Sequence, residues 1–551
     1  MTVRVRYAPS PTGLQHIGSL RTALFNYFFA RSHGGSCILR IEDTDRNRFD
    51  PRALDDIYET FSWMGMSFDE GPAQGGRYAP YIQSERHELY REYAHELIRR
   101  GLAYTCFCSP QRLEQLREEQ KRKGAPQGYD GRCRNLPPEL CREKKDAGLP
   151  AVIRFALPRE GETLIEDAVL GTVRRARRDI SPDPVLLKSD GLPTYHLASV
   201  VDDHLMEISH VIRAQEWLSS AALHQLLYEA FEWRAPVFLH LPMVLGKDGK
   251  KLSKRHGASS VAEFRREGYL PEALMNYVSM LGWSCANREF FTRNELEDSF
   301  VKGQIAKSPA VFDYRKLQWY NAHYIKQTSD DRLTELCLPI LKEGLTEERA
   351  GRSADSGAAD SGAAAANVAD SGAADTADAG TADSAAADSG AADSGAADIN
   401  FPSAENLHEL MPLAKERMRT LNDITAVLGF LYIDTIPNAE LFQNMKNAAQ
   451  ARAALQAVCD ALSLPAPDEA VGAAVPTLPV DGADDEGFHA WFEELALRQQ
   501  VGLGRVMLPV RMALTGSKSS PPLLDCIRLL GRKTVLRRLE RGIKILSANI
   551  N

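Results

Sequence analysis

The sequence lacks the features of membrane proteins, of secreted disulfide-rich proteins and of strongly basic nucleic-acid binders. Within its 551 residues no run of about 18 uninterrupted apolar residues occurs, so a membrane span is not expected. The first residues enter a strand-like alternation directly and contain no signal-peptide apolar core. The nine cysteines are odd in number and mostly scattered, which argues against a disulfide framework. We therefore expect a cytoplasmic protein with no membrane partner and roughly two to four domains.

Acidic residues slightly outnumber basic ones, and the charge is unevenly distributed along the chain. The formal net charge is −8, which at first argues against a nucleic-acid partner. Residues 354–398 contain nine Asp and no Lys or Arg, so the rest of the chain carries a net charge of +1. A mildly basic body with an acidic segment is compatible with a polyanionic partner but does not require one.

The N-terminal pattern is that of a nucleotide-binding α/β unit. Residues 3–8 (VRVRYA) alternate like a strand and are followed by the loop PSPTG. An amphipathic stretch at helical spacing comes next, and a second strand-like run, residues 37–41 (CILRI), ends in the acidic cluster EDTD. This order of strand, loop, helix and strand predicts functional loops at the carboxyl ends of the strands.

The remainder divides into a loop-rich region, helical regions and a low-complexity repeat. Residues 102–150 are charged and loop-rich and hold four of the nine cysteines. Helical periodicity dominates from about residue 260 to 326 and returns beyond residue 399 with no strand-rich stretch. Residues 354–398 repeat variants of Ala-Asp-Ser-Gly-Ala and have almost no large apolar side chain to bury. We expect a disordered insertion there that is dispensable for activity.

Two separated motifs could hold the phosphates of a nucleotide. His16 and Gly18 lie at a predicted junction of loop and helix, where unpaired backbone N–H groups and a partial positive charge suit a phosphate. Lys251 and Lys254 follow a Gly-rich turn and could move onto the charge of a triphosphate. Taken alone, each motif is also compatible with an ordinary surface histidine or a solvated basic loop.

An acidic run at the end of the second strand is the third candidate. Glu42, Asp43 and Asp45 could hold an ammonium group, a metal ion or a ribose hydroxyl. They could equally form a salt-bridged helix cap, and the residues alone leave the two interpretations open.

Together these motifs resemble a known enzyme class. PSPTG followed by HIGS after the first strand, and KLSKR more than two hundred residues later, resemble the two signatures of class I aminoacyl-tRNA synthetases. The segments RYAPSPTGLQHIGSLRTALFN, RIEDTDR, LLKSDGLPTYHLASVVDDHLM, VIRAQEW and KLSKRHGA resemble the bacterial glutamyl-tRNA synthetase family in particular. The resemblance is dense over residues 3–326; beyond them RMALTG and LLGRKTVLRRL are recognisable.

The resemblance implies an α/β fold with two parts. Residues 1–326 would form a Rossmann-type class I catalytic body, with an inserted acceptor-binding region at about 102–185 and a helical junction at about 260–326. Residues 327–551 would form an all-helical anticodon-binding region. The implied activity is ATP-dependent ligation of L-glutamate to the 3′ end of tRNA-Glu through a glutamyl-adenylate, with Mg²⁺ as cofactor. A monomer is expected, and tRNA-Gln stays open as a second substrate.

The resemblance also assigns roles to individual residues. The glutamate-binding residues would be Arg6, Ala8, Ser10, Glu42, Tyr195 and Arg213. The ATP-binding residues would be His16, Gly18, Glu216, Lys251, Ser253 and Lys254, among which His16, Gly18, Lys251 and Lys254 would be catalytic. Arg213 is the candidate for selecting glutamate over glutamine, because a guanidinium donates two bonds to a carboxylate and offers no acceptor to an amide. A structural salt bridge is the alternative. Ser199 departs from the family, which often has Asn there.

The cysteine cluster resembles a zinc site that only some family members have. The candidate ligands are Cys106, Cys108 and Cys133. The usual fourth ligand, a His, is replaced by Asn135, which is a poor zinc ligand. Tyr129 or Cys141 could substitute, and reduced cysteines without metal are the alternative, so the sequence leaves zinc undecided.

The sequence argues against four other functions. Glutaminyl-tRNA synthetase usually has PEPNG where this chain has PSPTG. The short paralogue that glutamylates a tRNA base lacks the helical region beyond residue 326. A catalytically silent RNA-binding relative would not need both ATP motifs, and a simple nucleotidylyltransferase would not need the long helical region.

Overall fold

The computed structural model forms two compact units, Met1–Asn321 and Ala322–Asn551. It describes residues 2–45, 48–252, 260–360, 401–433, 442, 447–463, 485–518 and 520–548, with side chains not described for 349–360. Ser253 and Lys254 therefore lie outside the described residues. None of the described helices is both long enough and apolar enough to cross a membrane.

The strands lie in the first unit, as far as the structure describes the chain. Their bounds are β1 (Arg4–Tyr7), β2 (Ser36–Leu39), β3 (Ala103–Cys106), β4 (Val152–Phe155), β5 (Glu162–Asp167), β6 (Gly171–Ala176), β7 (Val185–Leu187), β8 (His210–Ala214), β9 (Val237–Leu241), β10 (Val244–Leu245), β11 (Trp283–Ser284), β12 (Gln304–Ile305) and β13 (Ala310–Val311).

Helices connect these strands and continue to the end of the first unit. They are α1 (Ile17–Ser32), α2 (Pro51–Trp63), α3 (His87–Arg99), α4 (Pro110–Arg122), α5 (Pro138–Asp146), α6 (Tyr195–Leu205), α7 (Leu218–Phe231), α8 (Val261–Arg266), α9 (Pro271–Ser279), α10 (Arg293–Ser299) and α11 (Tyr314–Gln327).

Two pairs of parallel strands lie in the first unit. β1 and β2 are parallel with Arg6 opposite Ile38, and α1 connects them as the N-terminal pattern predicts. β8 and β9 are also parallel, and the Ser209 N–H beside β8 donates to the Arg4 carbonyl at 2.9 Å. The carboxyl ends of β1, β2 and β8 therefore carry loops on one side, where an α/β sheet holds its ligands.

The region predicted as an insertion contributes to two sheets. β3, β4 and β7 form an antiparallel sheet of their own. The hairpin β5–β6 instead extends the sheet of β8 and β9 in the order β6, β5, β9, β8, with Asp167 of β5 opposite Phe238 of β9. The insertion is therefore continuous with that sheet through the parallel pair of β5 and β9.

Helix α1 is buried on more sides than the predicted amphipathic stripe implies. Its buried residues include Leu20, Leu24 and Phe28, but also Arg21 and Asn26. Arg21 donates from Nε to the Leu281 carbonyl at 2.6 Å, so its charge is held by backbone dipoles. The helix thus packs inside the unit, and His16, one of the candidate site residues, lies at its N-terminus.

The described part of the second unit is helical, as predicted. Its further helices are α12 (Asp330–Asp360), α13 (Ala404–Lys415), α14 (Asp423–Leu428), α15 (Ala448–Ser463), α16 (Asp485–Arg498), α17 (Leu503–Thr515) and α18 (Leu523–Ala548). The buried Arg538 donates to the carbonyls of Phe430 at 2.8 Å and Ile433 at 3.0 Å. The first residues of the predicted disordered repeat continue α12 to Asp360, and 361–398 lie outside the described residues.

Candidate active site

His16 is held at the N-terminus of α1 by the helix itself. It is the N-cap residue, and its Nδ1 accepts from the backbone N–H of Ser19 at 3.2 Å. A Cβ added to Gly18 would lie 2.9 Å from His16 Cε1, so glycine leaves the space that the imidazole fills. Gly18 therefore makes room for the His16 ring beside the N-terminus of α1.

Lys251 and Glu216 form an ion pair near His16. Lys251 Nζ lies 2.5 Å from Glu216 Oε2, and both side chains are largely exposed. Desolvation lowers the pKa of His16, Lys251 lowers it further, and Glu216 opposes the shift. His16 is therefore neutral at neutral pH and can donate a hydrogen bond without adding charge. Four predicted ATP-site residues, His16, Gly18, Glu216 and Lys251, lie together.

A buried charge network occupies the carboxyl ends of β1 and β2. Arg6 donates to both carboxylate oxygens of Asp203, at 2.9 and 3.2 Å. Arg40 donates to Asp203 at 2.8 Å and to Glu42 at 2.9 Å, and its Nε lies 3.8 Å from Asp202. Because Asp203 takes the Nε–H and one N–H of Nη2, the expected substrate contact of Arg6 falls mainly on Nη1.

Two carboxylates of this network, Glu42 and Asp203, differ in proton affinity. Burial raises the pKa of Glu42 above its usual value, although Arg40 opposes the rise. Burial also disfavours the charge of Asp203, but Arg6 and Arg40 outweigh it and lower the pKa. Of these two, Glu42 has the less compensated charge, which suits a residue that receives an ammonium group.

The acidic run separates into one pocket residue and two structural residues. Asp43 accepts from the Ser84 N–H at 2.8 Å and from its hydroxyl at 2.6 Å. Asp45 accepts from Arg48 Nε at 2.7 Å on the surface. Only Glu42 is buried in the charge network, so the alternative of a structural role holds for Asp43 and Asp45.

Arg213 on β8 is nearly buried and is only partly paired. Its Nε donates to His240 Nε2 at 3.0 Å, and its Nη1 donates to the Tyr195 hydroxyl at 2.8 Å. Its Nη2 is buried and has no hydrogen-bond partner among the described residues. No carboxylate pairs with it there, so the alternative of a structural salt bridge has no support from its contacts.

The neighbours of Arg213 are kept uncharged. Burial, and then the charge of Arg213, lower the pKa of His196 to about 4 and the pKa of His224 well below its usual value. Burial also raises the pKa of Tyr195. Tyr195 can therefore accept from Arg213 and still donate its own proton, and Arg213 supplies the local positive charge of this wall.

The remaining predicted glutamate-site residues lie on the loop after β1 and on α6. Ala8 is half-buried and Ser10 is exposed; the Ser10 carbonyl accepts from Thr12 at 2.8 Å. The Ser199 hydroxyl on α6 is buried and has no partner in the part of the chain that the structure describes. The departure from Asn thus leaves an unsatisfied hydroxyl inside the unit.

The three candidate zinc thiols converge. The Sγ atoms of Cys106, Cys108 and Cys133 all lie within 4.8 Å of one another. The Tyr129 hydroxyl lies 3.4 Å from Cys106 Sγ and 3.6 Å from Cys108 Sγ, and it accepts from the Cys133 N–H at 2.9 Å. Of the two substitutes considered for the fourth ligand, Tyr129 is therefore the one in place, whereas Cys141 lies outside the cluster on α5.

Several residues that build the site were missed by the sequence analysis. Arg40 and Asp203 lay inside recognised motifs, but their distant partners were not visible. His240 is preceded and followed by apolar residues in VFLHLPMVL, and a histidine inside a buried run was the available signal. Asp167 gave no signal, because its role depends on the pairing of β5 with β9.

Comparisons with family models agree with this geometry. Residues 2–319 match the tRNA synthetases class I (E and Q) catalytic domain, and residues 390–543 match an anticodon binding domain. The fold class predicted from the sequence, a class I catalytic domain followed by a helical anticodon-binding region, is thereby confirmed.

Comparisons with individual proteins agree over the whole chain. The chain is 45% identical to a glutamate–tRNA ligase of Borrelia duttonii, covering 98% of this chain and 95% of that protein. It is 43% identical to the glutamate–tRNA ligase of Borreliella burgdorferi over 100% of both chains. A glutamate–tRNA synthetase structure from Elizabethkingia anophelis is 32% identical, with a TM-score of 0.74 and coverage of 99% and 100%. The chain therefore belongs to the glutamate–tRNA ligase family of class I aminoacyl-tRNA synthetases.

Proposed function

We propose that the protein ligates L-glutamate to the 3′ end of tRNA-Glu, using ATP and a glutamyl-adenylate intermediate. The observation that carries the proposal is the buried guanidinium of Arg213, whose Nη2 has no partner in the described residues of a chain from this family. A carboxylate would fill that vacancy with a charge-assisted bond, whereas the amide of glutamine would also bring its own donors towards Arg213.

Binding of the amino acid follows from the charges of the pocket. Arg213 and the hydroxyl of Tyr195 would hold the side-chain carboxylate, and Arg6 Nη1 would face a carboxylate from the other side. Glu42 would receive the α-ammonium group. The ordered loop carrying Ala8 and Ser10 would line the pocket. The bonds of Arg6 to Asp203 and of Arg213 to His240 support these roles, since they fix both guanidinium groups before the substrate arrives.

Activation needs no nucleophile from the protein. The α-carboxylate of glutamate attacks the α-phosphate of ATP, and the bond to pyrophosphate breaks. His16 at the N-terminus of α1 and Lys251 would stabilise the negative charge on the phosphates, with Ser253 and Lys254 expected to assist. Lys251 would exchange its ion pair with Glu216 for the phosphates. Mg²⁺ takes oxygen ligands and would enter with the triphosphate, whose charge it neutralises.

Transfer completes the reaction. A terminal ribose hydroxyl of the tRNA attacks the glutamyl carbonyl, and AMP leaves. Exposed arginines on β6 and the turn after it offer a surface for the RNA backbone: Arg174, Arg175 and Arg178. The helical second unit would bind the anticodon. The cytoplasmic location, the monomeric state and the use of tRNA-Gln stay predictions.

Aminoacylation with radiolabelled amino acids tests the proposal. We expect the protein to attach glutamate to tRNA-Glu in the presence of ATP and Mg²⁺, and to leave glutamine unused. A parallel reaction with tRNA-Gln decides whether the enzyme discriminates between the two tRNAs. Absence of charging of either tRNA by glutamate, from a folded preparation, would overturn the proposal in favour of a silent RNA-binding relative.

We further propose that Cys106, Cys108, Cys133 and Tyr129 hold a structural zinc ion. Four ligands about 2.3 Å from zinc stand roughly 3.8 Å apart in a tetrahedron. The observed distance of 3.6 Å between Cys108 Sγ and Cys133 Sγ fits that spacing. Bound zinc would fix the loop-rich part of the insertion, which has few buried apolar residues of its own.

Metal analysis checks this site. The purified protein should contain about one zinc per chain, and Cys108→Ser should remove most of it and lower the melting temperature. Cys141→Ser is the matched control, because Cys141 lies outside the cluster, and it should keep the metal. A wild-type protein that is isolated without zinc and does not take it up would contradict the assignment.

A further inference from the structure

Asp167, at the end of β5, binds the backbone and the ring of one histidine. Its Oδ2 accepts from the His240 backbone N–H at 3.0 Å and lies 2.6 Å from His240 Nδ1. Its Oδ1 accepts from the N–H groups of Val169 and Leu170, at 2.9 and 2.8 Å. Oδ1 is therefore fixed by the hairpin turn and Oδ2 by the backbone N–H of His240, so the carboxylate can only accept from the imidazole.

This contact decides where the proton of His240 lies. Because Asp167 accepts, His240 carries its proton on Nδ1 and presents the Nε2 lone pair on the other side of the ring. Nε2 accepts from Arg213 Nε at 3.0 Å. A proton on Nε2 would instead meet the N–H of Arg213, so only one tautomer of the neutral ring satisfies both contacts. All three side chains are at least 95% buried.

We propose that Asp167 and His240 position the guanidinium of Arg213 for glutamate, as a relay of carboxylate, imidazole and guanidinium. The relay holds Arg213 by Nε alone. Nη1 is then directed to Tyr195, and Nη2 is left for the substrate. Arg213 therefore presents its two terminal nitrogens to the pocket, which is the fork that matches a carboxylate. The inference rests on the proposed function, since it adds positioning residues to that same reaction.

The residues of the relay leave the positive charge of Arg213 available to a substrate carboxylate. Asp167 accepts the proton of His240 Nδ1 in a hydrogen bond. Burial lowers the pKa of His240, although Asp167 opposes this shift. The groups around the ring include Asp167 from β5, Arg213 from β8, Arg6 from β1, Phe238 on β9 and the neutral His224 from α7. Within the described residues no carboxylate pairs with Arg213, so the positive charge of Arg213 stays available to the ligand.

Two replacements of His240 separate positioning from packing. An asparagine amide can donate to Asp167 in place of Nδ1 but is too short to accept from Arg213. A glutamine amide can reach the position of Nε2 and accept from Arg213 but loses Asp167. We expect His240→Asn to raise the KM for glutamate by about 10- to 100-fold, with kcat reduced less and the KM for ATP unchanged. His240→Gln keeps the acceptor for Arg213 but loses the contact that orients it, so it should raise the KM for glutamate by a smaller factor, about three- to tenfold.

The outcomes distinguish the relay from the proposed function. If the wild-type protein does not charge tRNA-Glu with glutamate, both fail. If it does, equal KM values for the two variants, or a change confined to melting temperature, overturn the relay and leave the function intact. Should a variant not fold, the imidazole ¹⁵N signals of the wild-type protein decide: a proton on Nδ1 supports the relay, and a proton on Nε2 overturns it.

Discussion

Replacing Arg213 by alanine should reduce kcat/KM for glutamate by about 1,000-fold while the KM for ATP stays unchanged. Removal of one partner of a buried charge pair weakens binding by about 2–5 kcal/mol, and ~4 kcal/mol corresponds to three orders of magnitude. The substrate carboxylate would then lie in a pocket whose histidines, His196 and His224, are neutral and cannot replace the lost charge. Steady-state aminoacylation with varied glutamate measures the effect.

A surface arginine provides the control for this change. Arg91 on α3 is exposed and pairs with Glu88 one turn away, so Arg91→Ala should leave kcat/KM within about twofold. A loss of less than 10-fold for Arg213→Ala would mean that another group binds the side-chain carboxylate, with Arg6 as the nearest candidate.

Replacing Arg40 by methionine should destabilise the first unit by about 3–5 kcal/mol. The fully buried Arg40 is the shared cation of Asp203 and Glu42, and Asp202 lies 3.8 Å from its Nε. Methionine fills much of the volume but leaves Asp203 paired with Arg6, and Asp202 paired with Arg86, whose Nε donates to it at 2.8 Å. Protonation relieves that repulsion, so the difference from wild type should shrink as the pH falls.

Urea unfolding followed by tryptophan fluorescence measures this loss. Five of the six tryptophans lie in the first unit, so the signal reports mainly on it. Arg52→Met is the matched control: Arg52 also pairs with a carboxylate, Asp50, but its side chain is 85% exposed, and the change should leave the urea midpoint essentially unchanged. Equal shifts for the two variants would show that the buried network adds no stability.

Local patterns in the sequence predicted much of the site. HIGS was expected at a junction of loop and helix, and His16 does cap α1. VIRAQEW was expected to supply a guanidinium to the pocket, and Arg213 lies buried there beside Tyr195. The positions of these residues were predictable because strand, turn and helix signals act over a few residues and the motif residues follow directly from them, whereas their roles stay predictions.

The partners of these residues could not be predicted in the same way. Arg6 pairs with Asp203, which is 197 residues away, and Arg213 depends on His240 of the neighbouring strand. Such contacts follow from strand order and register, which no local pattern encodes. The sequence left the role of Asp43 open for the same reason, because the residue that donates to Asp43, Ser84, is distant in the chain.

The pairing of β5 with β9 limits how this protein can change during evolution. An inserted segment is usually free to be lost, shortened or exchanged between relatives, because its ends are close and its contacts are its own. Here the segment supplies an outer strand of the host sheet and the carboxylate that binds His240. A lineage that replaced β5 would also have to rebuild the wall that holds Arg213. Grafts taken from relatives should therefore keep the hairpin β5–β6 and exchange only the sequence before it.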